Sequence, residues 1–198
     1  MVYVFLADGF EEVEAIAPID MLRRAGIEVI TVKVGGEKES GYRGVTGSHG
    51  IEITADVCEN EIELNHLAGL EMIVLPGGAA GVEKLYNSNE VKLFIEYCAH
   101  DFNIPIGAIC AAPSILARRG YLKDVKCTAH PLFRHYLTEN GAINEQSSFQ
   151  GGTNKVVTDG IFTTAAGAGV SVDFALELVK VLKGDAEAKK IGEQILFY

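Results

Sequence analysis

Short apolar segments alternate with helical patterns along most of this chain, and this alternation restricts its fold more than any other feature. Four segments have the composition of buried strands: residues 2–7, 27–34, 72–78 and 104–109. Helical patterns follow three of them: residues 11–26, 81–86 with 89–100, and 111–119. Because strands separated by helices form βαβ units, the sequence predicts an α/β fold whose mostly parallel central sheet is covered on both faces.

Two further segments are predicted to be hairpins. Residues 41–57 have regularly spaced glycines and alternating isoleucines, and residues 154–166 surround an Asp-Gly pair, which is a strong hairpin turn. The amphipathic segment 171–184 predicts a helix ended by a glycine, and a last helix is expected to run to Tyr198. Since neither repeats nor a linker is found, we predict one domain spanning residues 1–198.

The net charge argues against several classes of partner, and the cysteines indicate the redox state of the thiols. The formal net charge is −10, which argues against nucleic acid and against an anionic membrane surface. No apolar run reaches membrane-spanning length, and the first residues are predicted to be a strand rather than a signal peptide. The cysteines form no CxxC pair, so reduced thiols and a cytoplasmic location are expected; they are Cys58, Cys98, Cys110 and Cys127.

One of these thiols lies at the junction between a predicted strand and a predicted helix, in the stretch IGAICAAPSIL at residues 106–116. Small residues flank Cys110 two positions away on either side, at Ala108 and Ala112, as a sharp nucleophile elbow requires. Pro113 suits the first turn of the following helix. The helix N-terminus is expected to lower the thiol pKa and to favour thiolate. A buried core cysteine is the alternative interpretation.

Other candidate groups follow neighbouring strands, where the ligands of open α/β sheets bind. The N–H groups of Gly77 and Gly78 could bind a developing oxyanion. Acidic residues favour a first helical turn, which explains Glu11 and Glu12. Glu14 lies deeper in the helix, so burial could hold its carboxyl protonated as a proton donor or acceptor.

No metal or organic cofactor is expected. Cys127 and His130 have the spacing of a metal pair, but two further ligands are not found. The glycine pair lacks both the GxGxxG pattern and the lysine of a P-loop, which argues against a nucleotide site. The remaining histidines are predicted on loops or helix surfaces; they are His49, His66, His100 and His135.

Five ordered motifs give the chain a family resemblance: EEVEAIAPIDMLRRAGIEV, LPGG, AICAAP, AHP and GAGVSVDFALELV. In order and spacing they resemble the ThiJ/PfpI superfamily, and most closely its DJ-one branch, from Val2 to about Lys183. The resemblance implies a flavodoxin-like three-layer sandwich that forms homodimers.

The resemblance also implies roles for individual residues. Cys110 would be a reactive thiol at a strained elbow, Glu14 would be hydrogen-bonded to it, and His130 would lie nearby. Gly78 and the backbone N–H of Ala111 match oxyanion-binding groups. The implied activities are glutathione-independent conversion of methylglyoxal to lactate and deglycation. A further implied property is reversible oxidation of the cysteine to sulfinate, linked to oxidative stress and chaperone-like behaviour.

Two departures from the family pattern matter. Protease-like relatives carry histidine directly after the nucleophile, where this chain has Ala111, so peptidase activity is not expected. The DJ-one branch often has an arginine where this chain has His49. Class-one glutamine amidotransferases need a downstream His-x-Glu, which residues 130–132 do not supply. Three hypotheses remain open: a glyoxalase or deglycase, a non-enzymatic redox sensor, and a binding or chaperone module.

Overall fold

The structure is a computed structural model that describes residues 1–36, 41–62, 67, 69–145 and 155–198. Within these residues the strands are β1 Val2–Leu6, β2 Val29–Lys33, β3 Gly44–Thr46, β4 Glu52–Thr54, β5 Val57–Cys58, β6 Met72–Leu75, β7 Ile106–Ile109, β8 Lys126–Cys127, β9 Ile143–Asn144, β10 Val156–Asp159 and β11 Phe162–Ala165. His66, which was expected on a loop or helix surface, lies outside the described residues.

Seven of the described strands form one sheet in the order β10-β11-β7-β6-β1-β2-β5. All neighbours are parallel except β10 and β11, which form the predicted antiparallel hairpin. The mostly parallel α/β fold is therefore confirmed. The sequence did not predict that β11 also pairs with β7, or that the two-residue β5 extends the sheet beyond β2. The other predicted hairpin is β3 with β4, a separate antiparallel pair.

The described helices are α1 Glu12–Arg24, α2 Ala79–Asn87, α3 Asn89–Glu96, α4 Pro113–Arg118, α5 Arg134–Glu139, α6 Ser171–Lys183 and α7 Asp185–Gln194. Three expected bounds were wrong. The predicted helix over 89–100 becomes a π-helical turn after Glu96, α4 begins only at Pro113, and the last helix ends at Gln194.

Two apolar layers enclose the central sheet. Side chains alternate along β1, so Tyr3 and Phe5 pack on one face with α2, α3, α4 and α5, whereas Val4 and Leu6 pack on the other with α1, α6 and α7. This arrangement is the flavodoxin-like three-layer sandwich. It leaves the carboxyl ends of β1, β6, β7 and β11 at one edge, and the loops after these strands meet there.

In the part of the chain that the structure describes, no helix has the length and apolar character needed to cross a membrane.

Candidate active site

Cys110 lies in a strained turn directly after β7. Its φ is +63°, a left-handed conformation that is costly for a residue with a side chain. Its backbone N–H donates to the carbonyl of Ala165 at 2.8 Å, and its carbonyl accepts from the His130 N–H at 2.9 Å. Ala112 closes the turn by donating to Ile109 at 3.0 Å. These bonds fix the thiol at the sheet edge in the geometry of a nucleophile elbow.

The pKa of the Cys110 thiol is raised to about 12, which is opposite to the lowering expected from the helix N-terminus. Burial is the largest cause, followed by the charge and the hydrogen bond of Glu14. The N–H groups of Ala111 and Gly78 lower this pKa, as donors to a thiolate should, but they are outweighed. With Glu14 ionised the thiol therefore keeps its proton at neutral pH, and protonation of Glu14 would remove the charge that adds to the effect of burial.

The carboxyl of Glu14 is fully buried beside this thiol. Its Oε2 accepts from the Gly77 N–H at 3.0 Å, while its Oε1 has no geometrically regular partner among the described residues. Burial raises the pKa of Glu14 to about 7, and the charge of Glu11 raises it further, against lowering by Cys110 and Gly77. Because Gly77 occupies Oε2, Oε1 is the oxygen that is available to carry a proton toward the sulfur.

Two glycines keep the space around these groups open. A Cβ on Gly77 would lie 2.3 Å from Glu14 Oε2 and 2.7 Å from Cys110 Cβ. A Cβ on Gly167 would lie 3.9 Å from both Cys110 Sγ and Glu14 Oε1, and 3.6 Å from His130 Cδ2. Three predicted site residues therefore border one small volume at Gly167. The Gly77 N–H, expected from sequence to bind an oxyanion, is instead bound to Glu14.

The His130 ring borders the same volume without bonding to the thiol. Its Nδ1 accepts from the Leu132 N–H at 3.4 Å, which places the proton of the neutral ring on Nε2. Among the described residues the ring has no hydrogen bond to Cys110. A side chain on Gly167, the first residue of the GAGVSVDFALELV motif, would fill the space between ring and thiol. In the sequence, the place of Gly167 in that motif was the only sign that it borders the site.

A second polar cluster lies beside the first turn of α1. Glu12 Oε1 accepts from the His49 N–H at 2.7 Å and from the Ile51 N–H at 3.4 Å. Its Oε2 lies 3.0 Å from His49 Nδ1 and 3.2 Å from Ser48 Oγ. Ligand atoms of Glu11, Glu12 and His49 lie within 4.8 Å of one another, but these hydrogen bonds satisfy them without a metal ion. Glu12 is thus a buried residue that holds the 47–51 loop in place. The preference of acidic residues for a first helical turn does not account for this role.

Replacing Glu12 by Gln is expected to destabilise the fold at neutral pH. Burial raises the pKa of this carboxyl, but hydrogen bonds from His49 and Ile51 outweigh it and lower the pKa to about 2 from an ordinary 4.5. A lowered folded-state pKa adds stability above pH 4.5 that is lost as pH falls toward 2. We expect Glu12→Gln to lower the free energy of unfolding by about 2 kcal/mol at pH 7 and by far less near pH 2.

Urea denaturation at several pH values checks this expectation. Glu139→Gln, on the exposed end of α5, is the matched control and should leave stability nearly unchanged. If Glu12→Gln were as stable as the wild type at pH 7, the hydrogen bonds of the Glu12 carboxylate would make no net contribution to the free energy of unfolding.

Comparison with known proteins places this chain and its fold in a family. The DJ-1/PfpI family model matches residues 1–181. The crystal structure of Drosophila melanogaster DJ-1beta superposes with a TM-score of 0.85 at 29% identity, covering 98% of this chain and 96% of that one. A structure of Toxoplasma gondii DJ-1, oxidized, gives a TM-score of 0.83 at 30% identity, with 98% and 97% coverage.

Curated relatives agree with the structures. Protein DJ-1 homolog B of Arabidopsis thaliana is 34% identical over 196 residues, which are 98% of this chain but 41% of that protein. The chain thus spans less than half the length of this relative. A deglycase of Thermococcus kodakarensis is 29% identical over 183 residues, or 92% of this chain and 99% of that enzyme. On the family match and these likenesses, the chain belongs to the DJ-1/PfpI family.

Proposed function

We propose that this chain is a cysteine-dependent, glutathione-independent glyoxalase or deglycase that acts on small oxoaldehydes such as methylglyoxal, or on the groups they have glycated. One observation carries the proposal: a thiol, a buried carboxyl and an imidazole edge all border the volume at Gly167. The carboxyl has a pKa of about 7, which suits a group that both accepts and donates protons near neutral pH. Similarity to the Thermococcus deglycase supports the same class of reaction.

In the first step Glu14 accepts the Cys110 proton as the sulfur attacks the aldehyde carbon. A C–S bond forms and the carbonyl π pair moves to oxygen, giving a hemithioacetal. The N–H groups of Gly78 and Ala111 bind this oxygen while it carries negative charge. Both N–H groups already lower the thiol pKa, so they are oriented toward the sulfur before substrate arrives.

In the second step a proton moves from the former aldehyde carbon to the adjacent ketone carbon. Glu14 is the proposed carrier: it first passes the thiol proton to the hemithioacetal oxygen, and the carboxylate then takes up the carbon proton. His130 Nε2 donates a proton to the ketone oxygen and recovers one from the hydroxyl of the former aldehyde carbon as the thioester carbonyl forms. The product is a thioester of a 2-hydroxy acid. Water then cleaves the C–S bond, which releases lactate and restores the thiol. The sum is methylglyoxal plus water giving lactate, with no external oxidant.

Lactate production from methylglyoxal without glutathione tests the proposal. The purified chain is expected to form lactate in proportion to enzyme concentration, with neither metal nor cofactor added. A folded chain that consumes no methylglyoxal and releases no glycated group from a model peptide would overturn both forms of the proposal.

A redox-sensing role is the second candidate, favoured by the buried Glu14 carboxyl beside Cys110. A protonated Oε1 would donate a hydrogen bond to a sulfinate oxygen. Two equivalents of hydrogen peroxide would convert the thiol to sulfinate and release two molecules of water. Mass spectrometry after mild peroxide is expected to find two added oxygens at Cys110 while the buried Cys98 and Cys127 stay unmodified.

We also propose that the chain forms a homodimer through an exposed apolar face of α1. Val13 and Ile16 lie on one side of this helix with 51% and 43% of their surfaces exposed. Ile51, whose N–H donates to Glu12 of the same helix, is 58% exposed. Ile16→Glu is expected to weaken self-association at least tenfold without unfolding the chain, as measured by sedimentation equilibrium. Leu93→Glu, an exposed residue of α3, is the control. Unchanged association of Ile16→Glu would exclude this face.

A further inference from the structure

The 47–51 loop connects the surface of the protein to the proposed active site through a continuous set of hydrogen bonds. Ser48 N–H donates to the carbonyl of Phe10 at 2.7 Å, and the preceding Thr46 carbonyl accepts from Gly9 at 2.7 Å. Glu11 N–H in turn donates to the carbonyl of Gly77 at 3.0 Å. Gly77 also donates to the Glu14 carboxyl. These bonds therefore link the 47–51 loop, through the start of α1, to the group proposed to carry the proton.

His49 is the side chain of this connection that can carry a positive charge. Its Nδ1 lies 3.0 Å from Glu12 Oε2 and 3.5 Å from Glu11 Oε1, while 70% of its side chain is exposed. Glu12 remains ionised at neutral pH and can only accept, so Nδ1 carries a proton in both charge states of the ring. Protonation at Nε2 therefore changes the charge of the cluster without breaking the bond to Glu12.

The other charged groups near this loop do not replace His49. Asp8, at the base of the hairpin, accepts from the Thr46 N–H and lies 4.0 Å from Lys84. Glu52, at the start of β4, is bound to Tyr42. Within the described residues, the carboxylates that face the imidazole are those of Glu11 and Glu12.

We propose that His49 is a positioning residue whose protonated ring neutralises Glu11 and thereby shields the Glu14–Cys110 pair from negative charge. The proposal rests on the proposed function for its role in turnover, but its effect on the Glu14 carboxyl needs no substrate. Two shifts agree with the geometry. The charge of Glu11 raises the pKa of Glu14, and hydrogen bonding to Glu12 with the charge of Glu11 raises the pKa of His49.

The sign of the effect follows from the charge. Losing a nearby cation raises the pKa of an acid, so a site without the His49 charge must lose its proton at higher pH. Above the pKa of His49 the wild-type ring is itself neutral, and the difference must disappear. A chain with a permanent cation at position 49 must keep the wild-type behaviour over the whole range.

The experiment measures the pH at which the Glu14 carboxyl titrates between pH 4 and 9, by NMR of the full chain with 13C-labelled glutamate carboxyls; the Glu14 signal is assigned by its loss in Glu14→Gln. His49→Asn keeps a side-chain N–H near Nδ1 but removes the charge, and His49→Arg makes the charge permanent. We expect His49→Asn to move the midpoint upward by roughly 0.3 pH unit, a size typical of a screened charge, and 1 M salt to abolish the shift. His49→Arg should match the wild type below pH 6, and His135→Asn, exposed on α5, should match it throughout.

The outcomes separate this proposal from the proposed function. A shift with His49→Asn that His49→Arg restores supports the positioning role even if no lactate is formed, in which case only the catalytic proposal fails. Lactate formation together with identical Glu14 titration curves in all variants overturns the role of His49 alone. Equal upward shifts in both variants, insensitive to salt, would indicate a merely structural contact and also overturn it.

Discussion

Replacing Cys110 by Ser is expected to lower lactate formation by a factor of about 10³ or more while the chain stays folded. The hydroxyl is a far weaker nucleophile than the thiol, and Glu14, with a pKa of about 7, cannot remove its proton efficiently. The strained φ of +63° is kept, because it is imposed by bonds from the backbone of Ala165 and His130 rather than by the side chain.

A parallel change at Cys58 provides the control for this variant. Cys58 is half-buried like Cys110 but lies at the end of β5, next to Glu61 rather than Glu14. Cys58→Ser should therefore retain full activity. Near-UV circular dichroism of both variants checks the fold. A folded Cys110→Ser protein with more than a tenth of the wild-type rate would show that another group carries the chemistry.

The sheet was predictable from sequence because its central strands are buried on both faces. β1, β6 and β7 are continuous apolar runs, and helical periodicity between them leaves few other arrangements. The two-residue β5 was not predictable, since a pair that short has no periodicity and is defined by pairing with Val32 and Lys33. The π-helical turn after α3 lacked a signal for the same reason: its residues fit an α-helical pattern equally well.

The candidate site was predictable only as residue types at strand ends. Small residues around Cys110 indicated a tight turn, but the thiol pKa depends on burial and on a carboxyl that arrives from α1, far away in sequence. For the same reason one of the two glycine donors, Gly77, was misassigned. Gly77 and Gly78 are adjacent in sequence, yet the first N–H binds Glu14 and the second acts on the sulfur.

The cluster of Glu12 and His49 shows the same limit of sequence reasoning. First-turn acids are explained by the helix dipole, so no local pattern marks one as buried. Glu12 lies more than thirty residues before the loop whose N–H groups donate hydrogen bonds to it. Only the tertiary fold brings the two together.

Replacing Glu14 by Gln is expected to have opposite effects on activity and on stability. Without a carboxyl to move protons, lactate formation should fall by roughly 10²- to 10⁴-fold, the contribution usual for a general acid–base. The amide is close in size and can still accept from Gly77, so packing around the elbow should be preserved.

The stability gain follows from the raised pKa. Between pH 4.5 and about 7 the folded chain holds a proton on Glu14 that the unfolded chain has released. The free energy of unfolding therefore falls as pH rises through this interval, by about 1.4 kcal/mol per pH unit or ~3 kcal/mol in total. Glutamine is uncharged in both the folded and the unfolded chain, so the variant does not lose this free energy of unfolding as pH rises. We expect Glu14→Gln to be more stable than the wild type at pH 8 by up to ~3 kcal/mol, with the gain vanishing near pH 4.

Urea denaturation from pH 4 to 8, beside the lactate assay, measures both effects on the same protein. Glu12→Gln serves as a comparison with the opposite expected sign. Because the pKa of the Glu12 carboxyl is lowered, this substitution should make the protein less stable at pH 8. A Glu14→Gln protein that is inactive and also less stable at pH 8 would mean that Glu14 is ionised and well solvated by its partners in the resting fold. Glu14 would then act without a raised pKa. Inactivity with increased stability would instead show a carboxyl kept buried at the expense of the fold because the reaction needs its proton.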